Sequence, residues 1–239
     1  MPDSARSLLG PTSPGALRWL LGKALELGMR ITRQRRYDAY RLENVCGMPI
    51  LVLPSVSNPK LLRTGAFFAS CLTARLLEGC SVLDLGTGSG VCALAAARHA
   101  RRVLAVDINR AAVRCAGINA LMNHLEHRLD IQHGDLFEPA HGERFDLVLF
   151  NPPFLLGAPK DERDAAWRSG DAAARFAAGL GAHLAPGGRA LLLLSSFGNA
   201  CEKFIDELRA QGFALGIFAR RRFVNETLTL FEVTRGAGA

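Results

Sequence analysis

Val82-Leu83-Asp84-Leu85-Gly86-Thr87-Gly88-Ser89-Gly90 decides how the rest of the chain is read. Four residues of buried-strand character run into a turn with glycine at every second position, and an Ala-rich helical stretch opens at Val91. Glycine permits a tight reversal and a close approach of backbone to a neighbour. Outward from this point short β-rich runs alternate with helical stretches. The runs are Val82–Leu85, Val103–Val106, Leu129–Gln132, Leu147–Phe150, Ala190–Leu194, Phe213–Ala219 and Leu228–Val233. Strands apolar on both faces and separated by helices predict an α/β fold with a doubly wound, mostly parallel seven-stranded sheet. Between the last two runs there is no room for a helix, so they are expected to pair antiparallel as a C-terminal edge hairpin.

Upstream the texture differs. Ser13-Pro14 reads as an N-cap with Pro at the first helical position, and Leu17, Leu20, Leu21, Ala24, Leu25 and Leu27 follow at helical spacing, which predicts a helix over 14–32. Tyr37–Leu42 and Pro49–Leu53 flank Cys46-Gly47-Met48 as a β-hairpin, and Ala66–Leu77 reads as a further helix. Residues 1–54 are therefore expected to form a short helix-and-hairpin extension and cap, and 55–239 the main domain.

The 239 residues carry 29 basic and 22 acidic side chains, a net charge of +7, and 49% hydrophobic residues. Such a chain is neither disordered nor collagen-like. No apolar run approaches the ~18 residues of a membrane span, and the first residues lack a basic stretch leading into an apolar one, so neither a membrane segment nor a secretory signal is expected. The six cysteines (Cys46, Cys71, Cys80, Cys92, Cys115, Cys201) include no C-x-x-C pair and read as small hydrophobes of a reducing, cytoplasmic setting. His124 and His127 have no third ligand nearby, so no metal is expected. Ser195-Ser196 lacks a nucleophile-elbow pattern. The basic excess, concentrated in Arg30–Arg41 and in Arg220-Arg221-Arg222, admits an anionic partner or plain solvated surface.

A glycine turn opening a helix offers free N–H groups and the positive end of a dipole, which suits a dinucleotide or S-adenosylmethionine. Two details separate them. The third glycine stands at Gly90, one place too early for Gly-x-Gly-x-x-Gly, with Val91 where that glycine would be. Asp84, two residues before Gly86, also suits a ligand bearing an ammonium group. Gly86, Thr87, Gly88 and Gly90 are thus expected at an S-adenosylmethionine site. Asp107 ends the next strand, followed by Ile108 and Asn109, where a carboxylate can accept both ribose hydroxyls. Asp135 follows the third strand and can accept from an adenine amino group, with Leu136 against the ring. Three acids at successive strand ends on one edge are hard to ascribe to chance.

After the strand Phe145–Phe150 comes Asn151-Pro152-Pro153-Phe154. The Asn side-chain oxygen and the Pro152 carbonyl can both accept from one planar –NH2 group, the prolines keep the backbone rigid, and Phe154 offers a stacking face. An amide or aryl amine is a poor nucleophile, so alignment with an electrophilic methyl is what a protein can contribute. Asn151, Pro152, Pro153 and Phe154 are the expected catalytic motif, with Asn151 also bordering the cofactor.

Asp84–Gly90, Asp107, Asp135 and Asn151–Phe154 together resemble the class I S-adenosylmethionine-dependent methyltransferases. The Asn-Pro-Pro-Phe form is similar to the HemK-type protein-glutamine N5-methyltransferases. The likeness covers about residues 50–234, with Leu184–Arg189 resembling the late turn and Arg220–Phe223 with Glu226–Leu228 the terminal hairpin. It implies a Rossmann-like fold, S-adenosylmethionine as cofactor with S-adenosylhomocysteine as product, and transfer to a planar nitrogen. A protein glutamine is the first expectation; adenine or guanine of RNA or DNA, or a small nitrogen-containing metabolite, are the alternatives. It also implies that Asn58–Gly65 closes over the cofactor, with Arg63, Thr64 and Gly65 near its methionine end. This chain departs from relatives with longer N-terminal domains, and Leu155–Gly170, which includes Trp167, follows no family pattern and is expected to face the substrate.

Overall fold

A computed structural model describes residues 39–157, 168–197 and 199–236. The helix expected over 14–32, with Trp19, and Trp167 lie outside these residues. The first described element is a hairpin of β1 (Arg41–Val45) and β2 (Met48–Val52). Its turn is the two residues Cys46 and Gly47, at φ 52 and 78, a geometry whose twist matches that of paired strands. The first strand therefore lies a few residues later than the expected Tyr37–Leu42.

Seven strands form the main sheet: β3 (Ser81–Leu85), β4 (Arg102–Asp107), β5 (Leu129–His133), β6 (Phe145–Phe150), β9 (Leu184–Ser195), β10 (Phe213–Arg222) and β11 (Thr227–Arg235), in the order β10-β11-β9-β6-β3-β4-β5. From β5 to β9 all pairings are parallel; β11 runs antiparallel to both β9 and β10. The sheet is thus the mostly parallel one expected, closed by its antiparallel hairpin. Two short strands, β7 (Leu155–Leu156) and β8 (Arg168–Ser169), pair beside it.

Alternation along the strands divides the core in two. Val82, Val103, Ala105, Leu147, Leu149, Leu191 and Leu193 meet the face covered by α1 (Thr64–Cys71), α3 (Val91–Ala97) and α4 (Arg110–Met122). Leu83, Leu85, Leu104, Val106, Val148, Phe150 and Leu192 meet the face covered by α5 (Ala172–His183) and α6 (Cys201–Ala210). The helix expected over 66–77 is two, α1 and α2 (Ala74–Leu77), because Thr73 between them is extended. The turn expected at Pro186-Gly187-Gly188 lies inside β9, with Gly187 at φ 74 and Ala185–Gly188 standing opposite Asp146 alone. The chain stays in β9 and bulges, so that Phe145 pairs with Leu184 and Leu147 with Arg189. Among the described residues no helix is long and apolar enough to cross a membrane.

The hairpin is fastened to this frame most of all by one buried amide, with the Asn123 side chain adding a bond to the Pro49 carbonyl at 2.9 Å. Asn119, on α4 and wholly buried, accepts from Leu51 N–H at 2.7 Å through Oδ1 and donates through Nδ2 to the carbonyls of Leu51 at 2.7 Å and Ser89 at 2.9 Å. It holds the edge of β2 and the glycine turn together. Asn119→Ala leaves buried backbone groups unpaired and is expected to cost roughly 2–4 kcal/mol, measured by urea unfolding.

Candidate active site

Because β3, β4, β5 and β6 are parallel neighbours, their carboxyl ends open along one edge, at the point where strand order reverses. There the loops enclose a cleft of about 380 Å³. Its walls include Gly86, Thr87, Gly88, Asp107, Ile108, Asn109, Asp135, Leu136, Thr64, Gly65 and the whole of Asn151–Phe154. Residues separated by up to ninety positions in the sequence thus share one cavity.

The glycine turn is held from several sides. Thr87 N–H donates to the Val106 carbonyl at 3.0 Å, and Gly88 N–H donates to Asp107 Oδ2 at 2.8 Å. Gly88, at φ +57, has open space where a Cβ would stand, so that backbone faces a ligand directly. Gly90 has a different reason to be glycine: at φ +82, a Cβ there would lie 2.9 Å from Ala116 Cβ. It lets α3 start against α4 and does not line the cleft.

Asp107 also accepts from Asn109 N–H at 2.9 Å through Oδ1. Each of its oxygens thus takes one backbone donor, and a carboxylate has about four acceptor sites, so one remains on each for a vicinal diol. Burial raises its pKa, and the two backbone donors pull it back. Asn109 caps α4 by accepting from Ala111 N–H at 2.8 Å, and through Nδ2 it donates to the Ser55 carbonyl at 3.2 Å. That second bond draws the loop after β2 over the cleft, where Ser55, Val56, Ser57, Pro59 and Leu62 complete the wall.

Asp84 lies behind the turn and not on the cleft wall, and it accepts from Thr87 Oγ1 at 2.6 Å. Burial pushes its pKa up to about 7, with Asp107 adding to the rise and Thr87 and the Ala93 N–H opposing it. Asp135 lines the cleft, with Oδ2 taken by Arg175 at 2.8 Å. Leu136 beside it is held at φ 49. Arg63 does not line the cleft; its guanidinium lies over the Phe223 ring, 4.8 Å from the centroid. Thr64 and Gly65 do line it, and a Cβ on Gly65 would meet Pro59 Cβ at 2.8 Å.

At the end of β6, Asn151 Oδ1 is the one buried side-chain oxygen or nitrogen, among the described residues, that finds no hydrogen-bond partner. Such an atom costs about 1–3 kcal/mol unless something donates to it. Phe154 is pinned three residues on: its carbonyl accepts from the Asn199 and Ala200 N–H groups, both at 3.3 Å, ahead of α6. The expected closing segment Asn58–Gly65 contributes Pro59, Leu62, Thr64 and Gly65 to the wall; sequence reasoning missed Arg175, Asp171 and Ser55–Ser57. None of these carries a motif, and each reaches the cleft through tertiary packing. No group of three or more His, Cys, Asp or Glu able to hold a metal ion occurs among the described residues.

The donor set fits S-adenosylmethionine: acceptors remain on Asp107 for ribose hydroxyls, and Leu136 offers an apolar face for a base, while Asp84, expected to meet an ammonium group, braces the turn through Thr87 from behind. This sheet order, its terminal hairpin and this cleft are those of an S-adenosylmethionine-dependent methyltransferase. The methyltransferase small domain model matches residues 50–210, and the chain belongs to that family. It is 33% identical over 163 residues, 64% of this chain and 81% of the other, to a Methanocaldococcus jannaschii protein named as a candidate protein N5-glutamine methyltransferase. It is 42% identical over 121 residues to the release factor glutamine methyltransferase of Xylella fastidiosa, covering 45% of this chain and 44% of that one. The chain thus spans less than half the length of the latter. The Thermus thermophilus 16S rRNA N2 G1207 methyltransferase, solved with S-adenosylmethionine and guanosine, shares the fold, with a TM-score of 0.58 and 24% identity over 82% of this chain and 50% of that one.

The raised pKa of Asp84 gives a pH signature. Below about 7 the carboxyl is protonated and neutral, and above it the anion forms, enclosed behind the turn beside Thr87. Unfolding free energy from urea titration is expected to fall between pH 4 and 7 and to lose that slope in Asp84→Asn, whereas affinity for S-adenosylhomocysteine, measured by calorimetry, is expected to depend on the cleft-lining Asp107. Asp107→Ala is expected to weaken binding at every pH, by roughly tenfold or more.

Proposed function

We propose that this protein transfers the methyl group of S-adenosylmethionine to a planar amide or amino nitrogen, with a glutamine side chain of a protein as the acceptor. The observation that carries this reading is the orphaned Oδ1 of Asn151, buried in a residue that lines the cleft. An N–H of a carboxamide donated to that atom satisfies it, and a second N–H can go to the Pro152 carbonyl. With both hydrogens held, the nitrogen lone pair is directed away from the clamp.

S-adenosylmethionine supplies a methyl carbon made electrophilic by its sulfonium. The chain's own residues do the rest. As the nitrogen–methyl bond forms and the carbon–sulfur electron pair returns to sulfur to leave a neutral thioether, positive charge grows on nitrogen until one N–H proton passes to water; oxygens already facing its hydrogens stabilise that charge without reorganising. Phe154 supplies an apolar face for a flat acceptor. Residues 55–239 carry this machinery, with the hairpin as a cap, and the setting is cytoplasmic. Names of relatives that act on glutamine in release factors favour the protein acceptor. An exocyclic amine of guanine in RNA is the second reading, favoured by the rRNA enzyme that shares the fold.

The test incubates the enzyme with methyl-labelled cofactor and a cell extract, then separates protein, RNA and small molecules. Label is expected in protein and, after complete digestion, in N5-methylglutamine; label confined to RNA overturns the glutamine assignment. Asn151→Ala is expected to lower turnover by about a hundredfold or more while S-adenosylhomocysteine still binds. Normal turnover in that variant would remove Asn151 from the reaction.

A further inference from the structure

Beside the clamp the end of the β10–β11 hairpin forms a surface that the transfer reaction itself does not use. Its turn is closed by Phe223 N–H donating to the Glu226 carbonyl at 2.7 Å. Phe223 lies beneath two guanidiniums, Arg63 at 4.8 Å and Arg221 at 5.4 Å from the ring centroid. Arg63, Arg221 and Arg222 are exposed, and among the described residues none of them pairs with an acid. Val224 at the tip is fully exposed, and Ile217 and Phe218 are exposed farther along β10.

Two connections fix this tip against the cleft. Arg63 is the residue from which α1 starts, and its neighbours Leu62, Thr64 and Gly65 line the cavity. On the other side, Glu226 accepts from Ser195 Oγ at 2.8 Å and Thr227 N–H donates to Ser196 Oγ at 2.8 Å. The chain leaving Ser196 soon supplies the Asn199 and Ala200 N–H groups that hold Phe154. A macromolecule with its acceptor in the clamp therefore has to pass close to the tip.

We infer that Arg221 and Arg222, with Arg63 and the apolar tip, dock an acidic segment of the protein substrate flanking the methylated glutamine. The inference rests on the glutamine reading above. Guanidiniums present forked donors that match carboxylates, and arginine beside apolar side chains is the composition of protein-recognition surfaces. Carboxylates are favoured over RNA here because the aromatic ring of the tip is already engaged by two guanidiniums, and a base needs an open ring face to stack on.

The probes are two fluorescein-labelled peptides, each with a single glutamine, one flanked by a run of glutamates and one by serines, together with a single-stranded RNA oligonucleotide of matching charge. Anisotropy is read with the full chain saturated with S-adenosylhomocysteine. The acidic peptide is expected to bind better than the neutral one, to weaken with salt, and to lose roughly tenfold or more in affinity in the Arg221→Glu, Arg222→Glu double variant. Arg221→Lys, Arg222→Lys is expected to retain part of the binding, and S-adenosylhomocysteine affinity is expected to stay unchanged in both variants. Equal binding of the acidic peptide by wild type and the Glu variant overturns the inference. So does tighter binding of the RNA that the Glu substitutions abolish. Because this assay reads binding without transfer, its outcome is separate from whether label reaches glutamine.

Discussion

One carboxylate holds the cleft together. Asp107 ends β4, and by accepting from Gly88 N–H and Asn109 N–H it fastens the glycine turn after β3 to the start of α4. Asn109, so placed, both caps that helix and draws in the Ser55 carbonyl. Three segments far apart in the chain are thus set by a single side chain, and two of its acceptor sites remain on the cleft side. A residue that organises the backbone and still has valence for a ligand makes the site preformed, which lowers the ordering cost of binding.

This preorganisation is held at a cost in stability. A carboxyl raised from 3.8 to about 7 is disfavoured as the anion, so the stability linked to Asp84 is fully present below pH 3.8 and is lost as pH rises towards 7. By that linkage the loss is on the order of 4 kcal/mol at neutral pH. Asn151 Oδ1 adds an unpaired buried acceptor. The second penalty falls on an atom of a cleft-lining residue that a hydrogen-bond-donating guest would satisfy, and the first stays locked behind the turn beside Thr87. The two apolar faces of the sheet, with Phe150, Phe176 and Phe204 in mutual ring contact below the clamp, supply the rigidity that keeps such atoms in place.

The sheet was legible because each parallel strand is apolar on both faces and each motif sits at a strand end, where topology alone decides what meets. Asp107, Asp135 and Asn151 could therefore be brought to one edge from periodicity. Other features were not legible, because they depend on contacts between distant segments. Asp84 and Arg63 stand in motif positions, yet one is turned behind the loop to Thr87 and the other outward onto Phe223. Arg175 has no local signature; it matters because α5 places it 2.8 Å from Asp135. Pro186-Gly187-Gly188 has turn chemistry, but β9 absorbs it as a bulge because pairing resumes on both sides. Local propensity names the residues that permit a reversal, and neighbouring strands decide whether one occurs.

The cleft therefore has two walls of different origin. One comes from strand ends, where parallel hydrogen bonding fixes Gly86–Gly88, Asp107 and Asn151 relative to one another. The other comes from the Ser55–Leu62 loop, with the β10–β11 tip beside it; these are held by a few side-chain bonds and one cation–aromatic stack. The first wall carries the free acceptors of Asp107 and Asn151, and strand pairing fixes their spacing. The second lines the mouth of the cleft through Ser55–Leu62, and its contacts can change without moving any strand. On the glutamine reading proposed above, what selects the acceptor is then expected in the loops and the hairpin tip and not in the sheet.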